Sequence, residues 1–145
     1  MNGIGAHEII VETPRHDVSL HELRILDICN VIQAYKDRLV DLEGDKRIRY
    51  VLIFKNHGQA AGAHTITHSI SQLMGLPVTP HTIRMKLITA EDYFRIKERC
   101  VYCDVLQQET KGPRLVSENT HFAAFMPFAS RFPFETVLVP KTHNS

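Results

Sequence analysis

Residues 56–80, NHGQAAGAHTITHSISQLMGLPVTP, combine three histidines, a loop rich in glycine and alanine, and a glutamine before an apolar segment. Glycines let the backbone approach a ligand closely. A neutral imidazole is a competent nucleophile near pH 7, and a glutamine amide can both donate and accept hydrogen bonds. Because imidazole is also a common metal ligand, the segment predicts a nucleophilic site or a metal site.

A second group of reactive side chains is the C-x-x-C formed by Cys100 and Cys103. Two thiolates at this spacing can chelate one zinc ion from a tight turn. The chain has 3 cysteines and no recognisable secretion signal, which argues against a disulfide framework. Two reduced cysteines with a purely structural role are the alternative reading.

These groups must be positioned by a mixture of strands and helices. Ser19 and Glu22 have capping-box spacing and predict a helix start, and Gly44 predicts its end. Runs rich in β-branched and aromatic residues predict strands on both sides of the glycine loop. The fold class is therefore α+β: an antiparallel sheet with one long helix on a face. The predicted strands cover residues 7–12, 48–56, 68–76, 114–119, 121–127 and 134–140, and the predicted helices cover 19–41, 90–99 and 104–109.

Composition excludes several classes of partner. The chain has 145 residues, 43% hydrophobic and 23% charged, with a formal net charge of +1, as expected for one globular domain or a piece of a larger one. Its lysines and arginines form no basic stripe, so no nucleic-acid partner is predicted. No signal peptide and no apolar run of about 18 residues is present, so we predict no membrane contact and a cytoplasmic location.

Several separate motifs, in order, resemble the galactose-1-phosphate uridylyltransferase family, including its ADP-glucose phosphorylase-like branch, within the histidine-triad superfamily. The resemblance implies a histidine-triad-like sheet and places the chain centrally in a longer protein, with the later part of one domain in residues 1–88 and the beginning of a second in 89–145. The matching motifs are HEIIVETPRHD, VLIFKNHGQAAGA, HSISQLMGLPVTP, CVYC and FASRFPFETVLVPKTH.

The resemblance also implies an activity. In the family, a histidine of an H-x-H-x-Q motif attacks the α-phosphorus of UDP-glucose and passes the uridylyl group to galactose-1-phosphate. The implied partners are therefore a nucleotide sugar and a sugar phosphate. The matching positions make Gln72 a ligand of the phosphates, together with Asn56 and the loop that contains Gly62.

One position departs from the family motif. Alignment on QLMGLPVTP puts Gln72 at the family glutamine, His68 at the first histidine and Ile70 at the nucleophile. A slip of two residues, which keeps every side chain on its face, would instead make His68 the nucleophile. A third possibility is that His64 and His68 share a strand face and together replace the histidine pair of the motif. The alternative to this third possibility is that His64 is only a polar residue of the loop.

The resemblance implies zinc at two places. Cys100, Cys103 and His143 match three ligands of one site, and the fourth ligand is absent from the chain. His16 and His68 match half of another site, whose cysteine pair is also absent.

Two main hypotheses for function remain open. The chain is part of a nucleotidyltransferase that works through a uridylyl-histidine, or it is a non-catalytic zinc-binding remnant or subunit. An ADP-glucose phosphorylase-like activity is a further alternative. We expect a homodimer or a companion chain to supply what is missing.

Overall fold

The computed structural model describes residues 3–63 and 68–143 as two units, each with its own antiparallel sheet. The first unit is Met1–His81 and the second is Thr82–Ser145. Helices and antiparallel strands occur together, which confirms the predicted α+β class. The assignment of residues 1–88 and 89–145 to two histidine-triad-like domains stays a prediction.

The first unit contains a three-stranded sheet in the order β1-β3-β2. Its strands are β1 (Ala6–Val11), β2 (Tyr50–Phe54) and β3 (Ile70–Leu76). The central strand β3 pairs antiparallel with both neighbours, and every second residue of it is buried. This alternation follows from the period of two residues along a strand, and Leu73 forms the fully buried centre.

Helix α1 (Ile25–Glu43) covers one face of this sheet. From α1, Arg38 donates two hydrogen bonds of 2.7 Å to Glu8 on β1. On the opposite face, Ile9 and Val11 of β1 are 56% and 59% exposed. Side chains of β3 therefore divide between a face packed against α1 and a face available to a ligand.

The predicted start of α1 at Ser19 is wrong. The backbone N–H of Ser19 donates to the Glu22 carboxylate over 2.8 Å, but this capping box closes only a 3₁₀ turn at Leu20–Glu22. Leu23 and Arg24 then adopt extended backbone angles, so the α-helix begins at Ile25. A capping box fixes the first turn of a helix and does not determine whether a second turn follows.

The second unit contains two helices followed by an antiparallel sheet in the order β4-β5-β6. Ala123 and Phe125 on β5 belong to its buried core. The prediction placed the first of these helices at residues 90–99, whereas it begins at His81, directly after Pro80. The elements are α2 (His81–Lys97), α3 (Val101–Glu109), β4 (Leu115–Glu118), β5 (Phe122–Phe125) and β6 (Val137–Pro140).

None of the helices in the described ranges combines the length and the apolar character needed to span a bilayer.

Candidate functional site

A cavity of about 650 Å³ lies where β2 ends and β3 begins. It brings together the four residues predicted to bind phosphate or react with it, along with loop residues that the prediction did not single out. The lining residues that bear on the chemistry are His16, Lys55, Asn56, His57, Gly62, His68, Ile70 and Gln72.

His68 uses both ring nitrogens in this arrangement. Its Nε2 lies 2.5 Å from the carbonyl oxygen of Thr13 and donates to it, because a carbonyl can only accept. The remaining Nδ1 lies 3.2 Å from Nδ1 of His16. Two imidazole nitrogens bound to one tetrahedral zinc would be about 3.3 Å apart, so the pair has the spacing of two ligands on one metal.

Ile70 and Gln72 both line the cavity and lie on the same face of β3. Period-two alternation places them together, as the H-x-H-x-Q comparison requires. Ile70, two residues before Gln72, therefore presents an aliphatic side chain to the cavity. The alternative involving His64 concerns residues 64–67, which lie outside the described ranges.

The glycine loop forms a compact turn at the rim of the cavity. Gly58 and Gly62 have φ values of 81° and 84°, in the region that side-chain-bearing residues rarely adopt. The backbone N–H groups of Ala61 and Gly62 donate to Gly58 and Gln59 over 3.1 and 3.0 Å. These N–H groups are used within the turn, and the Asn56 and Gln72 side chains supply amide donors from residues that line the cavity.

Behind β3 lies a buried polar network centred on Glu12, whose side chain is 0% exposed. One carboxylate oxygen accepts from Lys55 Nζ over 2.7 Å and from Ser69 Oγ over 2.5 Å. The other accepts from Ser71 and, over 2.9 Å, from the Tyr35 hydroxyl. Lys55 also donates to Ser69 Oγ and to the Ile70 carbonyl. The network thus connects the ends of all three strands with α1.

Glu12 is ionised in this environment. Burial alone would raise the pKa of its carboxyl group, but hydrogen bonds from Lys55, Ser69 and Ser71 outweigh burial and lower the pKa below its usual value. Burial raises the pKa of Tyr35, as does the neighbouring carboxylate, so its hydroxyl stays protonated and can donate. All three Lys55 donors point to protein acceptors, which makes Lys55 a structural cation beneath the cavity.

A separate group in the second unit consists of Cys100, Cys103 and His143, whose potential ligand atoms lie within 4.8 Å of one another. Cys103 Sγ and His143 Nδ1 are 3.1 Å apart. The backbone N–H of Cys103 lowers the pKa of Cys100, whereas burial and the neighbouring Cys100 raise the pKa of Cys103. Two sulfurs and one ring nitrogen at these distances fit three ligands of a tetrahedral metal site. This group could therefore hold a metal ion.

A sequence profile of the family described as galactose-1-phosphate uridyl transferase, N-terminal domain, matches residues 2–106. The chain belongs to the galactose-1-phosphate uridylyltransferase family. It is 35% identical over 143 residues to the ADP-glucose phosphorylase of Arabidopsis thaliana and 33% identical over 141 residues to the galactose-1-phosphate uridylyltransferase of Thermotoga maritima. These alignments cover 99% and 97% of this chain but 39% and 44% of the two relatives.

Solved structures of the uridylyltransferase family have the same fold as this chain. A crystal structure of the Arabidopsis thaliana ADP-glucose phosphorylase with bound ADP-glucose matches with a TM-score of 0.90 at 35% identity. A uridylyltransferase structure matches with a TM-score of 0.90 at 32% identity. The alignments cover 99% and 96% of this chain and 44% of each of those chains, so the chain spans less than half of the family members it matches.

Within this family framework, the predicted residues fall into two places. His16, Asn56, Gly62, His68 and Gln72 line one cavity. Cys100, Cys103 and His143 form the separate sulfur and nitrogen group. The roles predicted for all of these residues stay predictions.

The residues that sequence reasoning missed are those behind the cavity. Ser69 and Ser71 alternate with His68, Ile70 and Gln72, and this alternation was the available signal for a second, polar face of β3. Glu12 had no local signal, because its partners Tyr35 and Ser69 are 23 and 57 positions away in the chain.

Proposed function

We propose that this chain forms the nucleotide-sugar site of a nucleotidyltransferase of the galactose-1-phosphate uridylyltransferase type. The observation that supports it is the cavity in which Asn56, Gly62, His68 and Gln72 meet, in a chain of this family. Asn56 and Gln72 offer amide N–H donors to the phosphates of UDP-glucose or ADP-glucose. A sugar phosphate or inorganic phosphate would be the acceptor.

In the proposed reaction, an imidazole nitrogen attacks the α-phosphorus of the nucleotide sugar. The new N–P bond forms as the P–O bond to the sugar phosphate breaks, and hexose-1-phosphate leaves with the electron pair. The acceptor phosphate then attacks the same phosphorus and releases the imidazole. Splitting the exchange into two displacements is the advantage of a covalent intermediate.

Zinc is the metal we propose for the Cys100, Cys103 and His143 group, because it favours mixed sulfur and nitrogen ligands in a tetrahedron. With Ile70 at the nucleophile position, His16 and His68 are proposed as two ligands of a second zinc; in the alignment slipped by two residues, His68 is instead the proposed nucleophile. When bound, zinc would supply rigidity to the loops that present these residues. Each set needs further ligands, and a second copy or a companion chain is the proposed source.

A second candidate function is binding of a nucleotide sugar without covalent transfer. Ile70 favours it, because this side chain lines the cavity next to Gln72 and cannot attack phosphorus. The engagement of both His68 ring nitrogens favours it as well. Under this alternative, the chain recognises the same ligand and leaves the phosphate bond intact.

Native mass spectrometry of the purified chain, incubated with zinc and either UDP-glucose or ADP-glucose, tests these proposals. Nucleotidyl transfer predicts a covalent mass gain of one uridylyl or adenylyl group, lost in His68→Ala. Binding without transfer predicts a non-covalent complex that disappears on denaturation. The preferred nucleotide identifies the relevant branch. Absence of both species with both nucleotides, from folded zinc-loaded protein, would contradict the proposed function.

Loss of a metal ligand should reduce zinc content selectively. We expect Cys103→Ser to remove about one zinc ion per chain, because a neutral hydroxyl is a far weaker zinc ligand than a thiolate. Inductively coupled plasma mass spectrometry after dialysis measures the content. Cys29→Ser is the matched control, since Cys29 is exposed on α1 and outside the group. Equal zinc loss in both variants would contradict the assignment.

A further inference from the structure

His7 lies next to the glutamine proposed to bind phosphate. On β1 it pairs in register with Met74, two positions beyond Gln72 on β3, so it is a diagonal neighbour of Gln72 on the same sheet face. Its Nε2 is 2.9 Å from Gln72 Oε1. This contact engages the oxygen end of the Gln72 side-chain amide, and Gln72 lines the cavity.

The two ends of a glutamine amide have opposite hydrogen-bonding roles. The oxygen only accepts and the amino group only donates. When His7 donates from Nε2 to Oε1, the amino group is the end left for a ligand. Phosphate oxygens are acceptors, so they require this end. The reversed amide would direct an acceptor oxygen toward the anion and remove the acceptor that His7 now uses.

The other strand neighbours of Gln72 provide no such orientation. Its in-register partners are Ile9 on β1 and Phe54 on β2, and both side chains are apolar. His7 itself is exposed, so its replacement removes little buried surface. An effect of His7 on ligand binding can therefore be separated from an effect on folding.

We infer that His7 is a positioning residue that orients the Gln72 amide, with its amino group available to the phosphates of a nucleotide sugar. The inference rests on the proposed function of the cavity. It adds a role for His7, which is not among the residues predicted to bind the ligand. A neutral imidazole protonated at Nε2 and an imidazolium can both make this donation.

Isothermal titration of UDP-glucose and ADP-glucose into the zinc-loaded chain tests the inference. His7→Leu should weaken binding of the preferred nucleotide sugar about tenfold, the equivalent of one well-placed hydrogen bond. His7→Gln retains an N–H donor and should restore affinity to within about threefold of the parent. His121→Leu removes an exposed histidine of the second unit and should leave affinity unchanged.

Side-chain amide NMR measures the orientation directly. In glutamine-labelled protein, with the Gln72 signal identified by its loss in Gln72→Glu, the ¹⁵N resonance should move in His7→Leu and return in His7→Gln. This result is expected without ligand, so it decides the inference even when no nucleotide sugar binds and the proposed function fails. Unchanged Gln72 resonances, or equal affinities in the parent and His7→Leu, would overturn the positioning role.

Discussion

Replacing Glu12 by glutamine is expected to lower the free energy of unfolding by about 3 kcal/mol, the cost of removing one partner from a buried ion pair. The Glu12 side chain is fully buried and that of Lys55 is 20% exposed. Glutamine would leave the Lys55 ammonium without a counter-charge. It would also place an amino group among hydroxyl and ammonium donors. Urea denaturation of the parent and the variant measures the difference.

Glu8→Gln is a matched control for this prediction, because Glu8 lies on the same strand and is also bonded to a cation. Its pair with Arg38 is more exposed, at 30% and 41% of the two side chains, and should contribute less than about 1 kcal/mol. Adding Lys55→Met to Glu12→Gln should recover much of the lost stability, since it removes the uncompensated charge. Similar losses of unfolding free energy for Glu8→Gln and Glu12→Gln would show that the buried network stabilises the fold no more than an exposed ion pair.

The Glu12 network also explains why β3, which lines the cavity, has a fixed register in the sheet. Ser69 and Ser71 are held on the covered side of β3 by one carboxylate, so Ile70 and Gln72 must face the other way. A slip by one residue would bury the Gln72 amide and expose the serines. The network therefore favours the observed register of β3 over registers shifted by one residue.

Local pattern was sufficient for part of this arrangement. Alternation along β3 predicts that Ile70 and Gln72 share a face. The glycine loop predicted between two strands is a turn in which Gly58 and Gly62 have positive φ values. The C-x-x-C predicts the proximity of Cys100 and Cys103. The approach of His143 could be expected only from the family resemblance, because 40 residues separate it from Cys103.

Other features could not be predicted from the local sequence pattern. The capping box does not predict where α1 begins, because it describes one turn and Leu23 is extended. The first turns of α2 have a weak helical signal, because Thr82, Ile83 and Thr89 are β-branched. The contact of His7 with Gln72 requires the pairing of β1 with β3, a strand 65 positions later.

Replacing Ile70 by histidine is expected to increase nucleotidyl transfer to the protein. Ile70 lines the cavity and shares a strand face with Gln72, so the new imidazole would enter the site beside the amide proposed to hold the phosphates. Adduct formation with the preferred nucleotide sugar should rise on the order of 10³-fold over the parent, because an imidazole would replace an aliphatic side chain directly beside the amide proposed to hold the phosphates. Time-resolved intact-mass measurement after acid quenching detects the adduct.

Ile9→His provides a matched control for position. Ile9 pairs in register with Gln72 on the same sheet face but does not line the cavity. The Ile9→His variant should therefore form no adduct. Adding Gln72→Ala to Ile70→His should slow adduct formation about 100-fold, because a donor to the phosphate is lost. A folded Ile70→His variant that binds the nucleotide sugar without reacting would place the phosphorus away from β3. An adduct on Ile9→His would instead mean that any imidazole on this face reacts, and the cavity would then contribute nothing to orienting the phosphorus.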